Sequence, residues 1–369
     1  MKICPKCQHK FNDEYSFCKK CGVSLVLENK KEILKNNAKS KSNGFLGKEM
    51  IVFTVAIIII IGSVLYNLYG NSDSFRYKLY DIGIMNPSTI EEQFYYACRL
   101  IEKKDYKNAF KWFECSANAG DADAQYNLGI LYENGEGVEK NEKEAFKLYL
   151  KAAEQNDRDA QYAVGRCYKD GIGTIKNRKF AKGWFKKAAE AGHIKAQADY
   201  AFYLHLDRDY KQAFEYYNKS ANAGNSYAQL RVGEYYIWGY RVVDKDYKKA
   251  IEWFEKSAEG GNTTALLNIG RCFQDGGYGV VKDLNKAAYY YNASAEKGNA
   301  IAMRKIAYCY YFAEGVDWDE KKAMEWLKKA IETEKTGRYN LSRPWSDEEE
   351  IKRTIDSWKT QRRVFYEAK

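Results

Sequence analysis

The stretch that decides the fold is DYKNAFKWFECSANAGDADAQYNLGILYENGEGV, residues Asp105 to Val138. Its first alanine returns along the chain at steps of 36, 36, 32, 37, 37 and 36 residues, as Ala109, Ala145, Ala181, Ala213, Ala250, Ala287 and Ala323. A period in this range, repeated this often, is typical of a repeat protein.

The residue four positions before each alanine is a good helix N-cap, because its side-chain oxygen can accept from a free backbone N–H of the first turn. These residues are Asp105, Asn141, Asn177, Asp209, Asp246, Asp283 and Asp319. Bulky pairs such as Trp112–Phe113 follow each alanine by three and four residues, and small pairs such as Ser116–Ala117 by seven and eight. This spacing predicts one buried stripe on a helix.

The first helix of each repeat is expected to end at a left-handed position, which Gly and Asn tolerate best. The residues there are Gly120, Asn156, Gly192, Gly224, Gly261 and Gly298. A second helix is marked by Ala124, Ala160, Ala196, Ala228, Ala265 and Ala302, each followed five residues later by Gly or Ala. Residues this small allow close packing, so each unit is predicted to be a tight helix hairpin.

These columns resemble the Sel-one-like repeat, a relative of the tetratricopeptide repeat, over residues 88 to 335. The copy starting at Asn177 is shorter and lacks the G-x-G loop, and the copy starting at Asp319 keeps only its first helix. The resemblance implies an all-α, right-handed α/α superhelical solenoid of six to seven helix hairpins that binds other proteins. It brings no catalytic residues.

The predicted order of segments is a zinc ribbon in 1–27, a basic flexible linker in 28–49, a transmembrane helix in 50–70, a juxtamembrane segment in 71–87, the repeats in 88–341 and a capping helix in 342–369. A helix over 89–104 is expected to pack onto the first repeat. At the other end, Pro344 precedes an S-x-x-E capping box from Ser346 to Glu349, which predicts a helix to about Ala368.

The N-terminal segment contains two C-x-x-C pairs, Cys4 with Cys7 and Cys18 with Cys21. Four thiolates on two tight turns form the tetrahedral site that structural zinc prefers, and so small a module could not bury a core without the metal. The segment resembles the zinc ribbon at the N-terminus of many bacterial membrane proteins. Chance pairs, a disulfide or a rubredoxin-like iron site are the alternatives, and His9 is expected to be a solvated bystander.

Residues Met50 to Ser72 carry no charge, and about twenty apolar residues at helical rise cross a bilayer. A buried core helix is the alternative, but nothing nearby in the sequence could surround it. Lysines are abundant before this span, whereas only Arg76 and Lys78 follow it closely. The positive-inside rule therefore predicts a single-pass protein with a cytoplasmic N-terminus and extracytoplasmic repeats.

The cysteines of the repeats partly argue against export, because an exported domain usually pairs its cysteines in disulfides. The repeats contain an odd number of them, Cys98, Cys115, Cys167, Cys272 and Cys309. Three of them share one column of the repeat, which is typical of a buried core position.

Composition argues against nucleic-acid binding. The net charge is +10, of which residues 1–49 carry +6, from eleven Lys and five acidic residues. The remaining 320 residues are almost balanced, so no phosphate-binding face is indicated. With three histidines and no P-loop, HExxH or G-x-S-x-G motif, the chain is not expected to be an enzyme or to take a small-molecule substrate.

Exposed aromatic side chains are the best candidates for a binding surface. Trp238, Tyr240, Tyr311 and Phe312 depart from their columns or crowd a loop, so they are the predicted partner-binding residues, with packing between repeats as the alternative for each. Three functions follow: a membrane-anchored protein-binding adaptor, a signalling link across the membrane, and a cell-wall enzyme as the least favoured.

Overall fold

The computed structural model describes residues 2–3, 10–11, 73–83, 85–336 and 347–367. Near the N-terminus, strands β1 (Lys2–Ile3) and β2 (Lys10–Phe11) pair antiparallel, with Lys2 opposite Phe11 and Ile3 opposite Lys10. Every other regular element in the described ranges is a helix. The chain divides into two compact units, residues 1–184 and 185–369.

Two helices precede the repeats, α1 (Asp73–Asp81) and α2 (Ile90–Glu102). The repeats are six helix hairpins with connections of a few residues. The hairpins are α3 (Tyr106–Asn118) with α4 (Ala122–Asn134), α5 (Glu142–Glu154) with α6 (Arg158–Asp170), α7 (Arg178–Glu190) with α8 (Ile194–Leu206), α9 (Tyr210–Asn222) with α10 (Ser226–Trp238), α11 (Tyr247–Glu259) with α12 (Thr263–Asp275), and α13 (Leu284–Glu296) with α14 (Ala300–Phe312). Helices α15 (Glu320–Thr336) and α16 (Asp347–Glu367) follow. The predicted all-α hairpin repeat is confirmed.

The predicted caps are present in every repeat. All seven N-cap side chains accept from the backbone N–H three residues on, at 2.9 to 3.2 Å. The six turn residues between paired helices have φ from +68° to +100°, including Asn156. The next residue then caps the second helix, and in one repeat this is His193, whose Nδ1 accepts from the N–H of Ala196 at 3.0 Å. The sequence interpretation had missed this second set of caps.

The recurrent alanine is fully buried, with no column member more than 2% exposed. The small residue of the second helix makes room mainly for an aromatic ring, rather than only for a helix backbone. A Cβ at Gly129 would lie 2.6 Å from the Tyr149 ring, and one at Gly233 would lie 2.4 Å from the Phe254 ring. The glycine of one repeat therefore accepts the second bulky residue of the next repeat.

A buried serine links successive repeats. Ser220, Ser257 and Ser294 each donate a hydroxyl to the carbonyl oxygen of the first residue of the preceding second helix, at 2.6 to 2.8 Å. Ser116 makes the same contact with Ile90, the first residue of α2, at 3.1 Å. Helix α2 therefore occupies the place of a second helix, and the stack begins before the first complete hairpin.

The segment predicted only as a juxtamembrane stretch forms helix α1, which packs on α2. Tyr77 stacks on Tyr96, and Tyr80 meets Tyr96 edge to face. Asp81 forms an ion pair with Lys103 and accepts from the hydroxyl of Tyr96. The N-cap of α2 is Thr89, so this helix begins at Ile90, one residue later than predicted.

Helix α16 lies in the segment predicted as a capping helix and packs on the last repeat. Its Ile355 is buried with Leu327 of α15, and Trp358 packs nearby. Arg304 of α14 donates to Glu334 of α15 at 2.9 and 3.0 Å and to Glu350 of α16 at 2.7 Å. One guanidinium therefore holds three helices together.

Several predictions fall outside the described ranges: the ligands Cys4, Cys7, Cys18 and Cys21, the linker 28–49 and the transmembrane span 50–70. None of the helices within the described ranges is long and apolar enough to cross a bilayer. Cys98, Cys167, Cys272 and Cys309 are free thiols. Cys167, Cys272 and Cys309 are at most 3% exposed, which confirms their column as core.

Candidate protein-binding site

The four aromatic residues predicted to bind a partner lie in different surroundings. Trp238 is the last residue of α10, and its side chain is 59% exposed. Tyr240 follows it after a glycine and is half-buried, with its ring stacked on Tyr210 at 5.0 Å and packed against His205. Trp238 therefore offers apolar surface, whereas Tyr240 mainly closes an aromatic cluster.

Tyr311 and Phe312 lie under the C-terminal helix. Tyr311 is only 2% exposed, and its ring centroid is 5.3 Å from that of Trp358 on α16. Phe312 is half-buried and contacts Trp358 and Tyr308. The expectation that these two residues are exposed is corrected, because α16 covers the last apolar surface of the stack. Both side chains pack within the fold, which was the alternative to partner binding.

A cavity of about 330 Å³ lies beside Trp238. Its lining comes from three successive second helices, α10, α12 and α14, and from the start of α11. The lining residues are Glu234, Ile237, Trp238, Tyr247, Asn268, Arg271, Cys272, Gln274, Asp275 and Lys305. A volume of this size is at the lower end of the roughly 300–1,000 Å³ of ligand pockets, so it suits one or two side chains of a peptide.

The repeat places these residues in rows. Asn268 and Lys305 each lie three residues after the marker alanine of their second helix, and Trp238 and Asp275 each lie ten after theirs. Because equivalent positions of stacked helices are neighbours, the cavity has a polar row at one end and a row containing Trp238 at the other. Arg271 lies between the two rows, six residues after its alanine.

The charges of the lining are only partly paired within the described ranges. Glu234 accepts from Arg231 at 2.6 Å. Burial raises the pKa of Glu234, and the positive charges of Arg231 and Arg271 oppose that rise. Arg271 is exposed and makes no ion pair with a described residue. Among these residues its side chain makes a single hydrogen bond, a long contact of 3.4 Å to the side-chain oxygen of Asn268. Lys305 is half-buried and lies over the Tyr291 ring.

The sequence interpretation identified Trp238 but missed Asn268, Arg271 and Lys305. It looked for aromatic hot spots, whereas these three residues are polar and lie on two helices, Asn268 and Arg271 on α12 and Lys305 on α14. A search of the second-helix columns for polar residues could have found them, because most buried columns of the repeat are apolar or small.

The remaining described residues offer no competing metal site, since they contain no group of three or more His, Cys, Asp or Glu side chains placed to hold an ion. Burial raises the pKa of the Cys167, Cys272 and Cys309 thiols to about 12. Such thiols are protonated at neutral pH and behave as small apolar side chains.

Comparison with known proteins gives a consistent result. The family model described as Sel1 repeat matches seven consecutive segments, residues 96–121, 122–157, 158–193, 194–225, 226–262, 263–299 and 300–332. No curated protein matches the chain.

Two solved structures are similar in both sequence and fold. A Sel1 repeat protein from Oxalobacter formigenes is 32% identical with a TM-score of 0.59, and the match covers 64% of this chain and 96% of that one. A protective antigen of uropathogenic Escherichia coli with an SLR fold is 30% identical with a TM-score of 0.59, over 66% of this chain. The match covers 54% of the antigen, so this chain spans about half of its length.

Proposed function

The chain belongs to the Sel1 repeat family, and we propose that it is a scaffold whose repeats bind a protein partner and which is anchored in a membrane. Repeats of this family generally mediate protein–protein interaction, and such scaffolds are typically non-catalytic. The observation that carries the proposal for this chain is the cavity beside Trp238. It combines an exposed aromatic side chain with polar groups that have unused hydrogen-bonding capacity, as binding hot spots do.

The membrane anchor and the zinc module are parts of the same proposal. The charge-free run from Met50 to Ser72 supports the anchor. The strand pair supports the zinc module, because Ile3 and Lys10 are opposite each other and the segment between them contains Cys4 and Cys7. A C-x-x-C pair in the sequence between two paired strands is a suitable half of a four-thiolate zinc site. The metal would hold the small module together, and no catalytic step is assigned to it.

The charge distribution favours a cytoplasmic N-terminus with the repeats on the other side of the membrane. We would test this by placing an epitope tag after Lys369 and treating intact cells with a protease that cannot cross the membrane. Loss of the tag supports extracytoplasmic repeats. A tag that is protected in intact cells but cleaved in lysed cells contradicts this arrangement.

A signalling link is the second candidate, because the same arrangement puts a zinc module and a binding surface on opposite sides of one membrane span. Deletion of residues 1–27 distinguishes the two functions. A scaffold retains its partner and its cellular phenotype without this module, whereas a signalling link loses the phenotype while the repeats still bind.

The scaffold is tested by photo-crosslinking in living cells. A benzoylphenylalanine at position 238 should crosslink to a protein that mass spectrometry identifies and that binds the purified chain. The control is the same probe at position 289, where the native Tyr289 is 68% exposed on α13, a first helix. Two outcomes contradict a specific site beside Trp238. In one, neither probe forms a crosslink; in the other, both probes crosslink equally to the same proteins.

A further inference from the structure

We propose that the cavity bounded by α10, α12 and α14 binds an acidic side chain from an internal, extended segment of the partner, next to an apolar residue that packs on Trp238. This inference rests on the proposed scaffold function and specifies the chemistry of the segment that the scaffold takes.

The first support is Asn268. Its side chain is 9% exposed, lines the cavity, and accepts from Arg271 through its oxygen. Its Nδ2 donates to none of the described residues, although a buried amide normally satisfies both ends. A donor at the wall of a cavity that has no acceptor among the described residues is suited to a ligand acceptor.

The second support is the pair of cations around that donor. Lys305 lies in the same row as Asn268 on the next second helix, and Arg271 is one turn further along α12. Guanidinium, ammonium and amide N–H groups are the donors that bind a carboxylate, and hydrogen bonds between charged groups are the stronger ones.

The local charge balance points the same way. Glu234 and Asp275 contribute two carboxylates to the lining, whereas Arg271 and Lys305 contribute two cations and Arg231 pairs with Glu234 from beside the cavity. Three cations against two carboxylates leave a net charge of +1, which one bound carboxylate neutralises.

The positions of the residues set the direction of the segment. Asp275 lies in the row of Trp238, so it repels an acid there and favours the acidic residue at the Asn268–Lys305 end. The apolar residue then packs on Trp238. Because the lining crosses three helices, the bound segment runs across successive hairpins and need not end in the cavity.

The test is a selection of random peptides on the purified full chain. Twelve-residue peptides are displayed inside a phage coat-protein loop, so that the only peptide carboxylates are those of Asp and Glu. We expect enrichment of sequences that contain Asp or Glu close to a large apolar residue. Binding of the enriched peptides should weaken at least about tenfold on the double variant Arg271→Glu/Lys305→Glu.

A matched control variant, Lys248→Glu/Lys297→Glu, makes the same change in net charge at two exposed lysines outside the lining and should bind as the native chain does. Circular dichroism of all variants checks that they fold, and Arg271→Gln provides a milder replacement. Selection on the double variant itself should shift toward peptides that contain Lys or Arg.

Three results overturn the inference: no preference for Asp or Glu, equal binding to the double variant and to its control, or enrichment only from a library with free peptide C-termini. The last would assign the cavity to a terminal carboxylate. If position 238 still crosslinks to a purified partner in any of these cases, the scaffold function stands and only the acidic chemistry fails. If the crosslink is also absent, both fail.

Discussion

Ser257 donates its hydroxyl to the carbonyl oxygen of Ser226 at 2.6 Å, and this contact joins the first helix of one repeat to the second helix of the repeat before it. Ser257 is fully buried, so no water can replace the bond from outside. The same contact recurs in other repeats, which makes it part of the interface between hairpins rather than a local detail.

We therefore expect Ser257→Ala to lower the free energy of unfolding by about 1 kcal/mol, the usual net contribution of one hydrogen bond. Urea titration followed by circular dichroism measures the change. Glu255→Ala, on the exposed face of the same helix, is the control and should change stability little. Equal effects of the two substitutions would mean that the serine contact contributes nothing to stability.

Two glycines in helices are expected to respond to alanine with opposite signs. A Cβ at Gly233 would lie 2.4 Å from the buried ring of Phe254, so Gly233→Ala should destabilise by about 1–3 kcal/mol through overpacking. A Cβ at Gly183 would have no atom within 4 Å, and this glycine lies inside α7. Gly183→Ala should therefore stabilise by about 0.5–1 kcal/mol, because alanine is the better helix former.

Urea titrations of the two variants beside the native chain test this pair. The two changes are the same in chemistry and both are in helices, so each serves as the control for the other. A loss of stability at both positions would contradict the reading that only Gly233 makes room for a neighbouring ring.

The sequence alone predicted the structural features that recur in every copy of the repeat. The N-caps, the left-handed turn residues and the buried alanines could be predicted, because the physical requirement at each of these positions selects the same residue type in every copy. The serine contact was not readable, since a serine beside alanines in a small-residue column looks like packing. Only the stacked hairpins bring Ser257 and Ser226 together.

The residues of the candidate site could not be predicted in this way, because they do not recur from copy to copy. Arg231, Asn268 and Lys305 fill the same column with three different side chains, so a search for recurrence passes over them. Tyr311 shows the converse problem, because its burial depends on α16, a helix that lies outside the repeat pattern. Binding residues in a repeat protein differ from copy to copy, and their proximity is set by the fold.

His205 gives the stability of the repeats a pH dependence. Its Nδ1 is 3.0 Å from the Tyr235 hydroxyl, and burial lowers its pKa, as does the positive charge of Arg231. The folded state therefore binds fewer protons than the unfolded state below the ordinary pKa of histidine, about 6.5. The contribution of neutral His205 to the free energy of unfolding is therefore present above that pH. It is lost as the pH falls through the lower pKa that His205 has in the folded state.

Urea midpoints measured from about pH 7 to about pH 5 should fall for the native chain, and His205→Gln should flatten that fall, because glutamine keeps a polar partner for Tyr235 but does not titrate. His193→Asn is the control, since asparagine is the cap at the equivalent Asn225. If the His205 variant shows the same slope as the native chain, the histidine is not the titrating group.

The zinc module gives the last prediction. Each purified full chain should contain about one zinc ion held by Cys4, Cys7, Cys18 and Cys21, and Cys18→Ser should lose most of it, because a closed four-thiolate site needs every ligand. Mass spectrometry of metals after exchange into metal-free buffer measures the content. Cys272→Ala is the matched control, since burial raises the pKa of that thiol to about 12 and keeps it protonated and unable to bind metal at neutral pH. Iron in place of zinc would assign the four cysteines to a rubredoxin-like site, and zinc content that Cys18→Ser leaves unchanged would remove the four-thiolate site altogether.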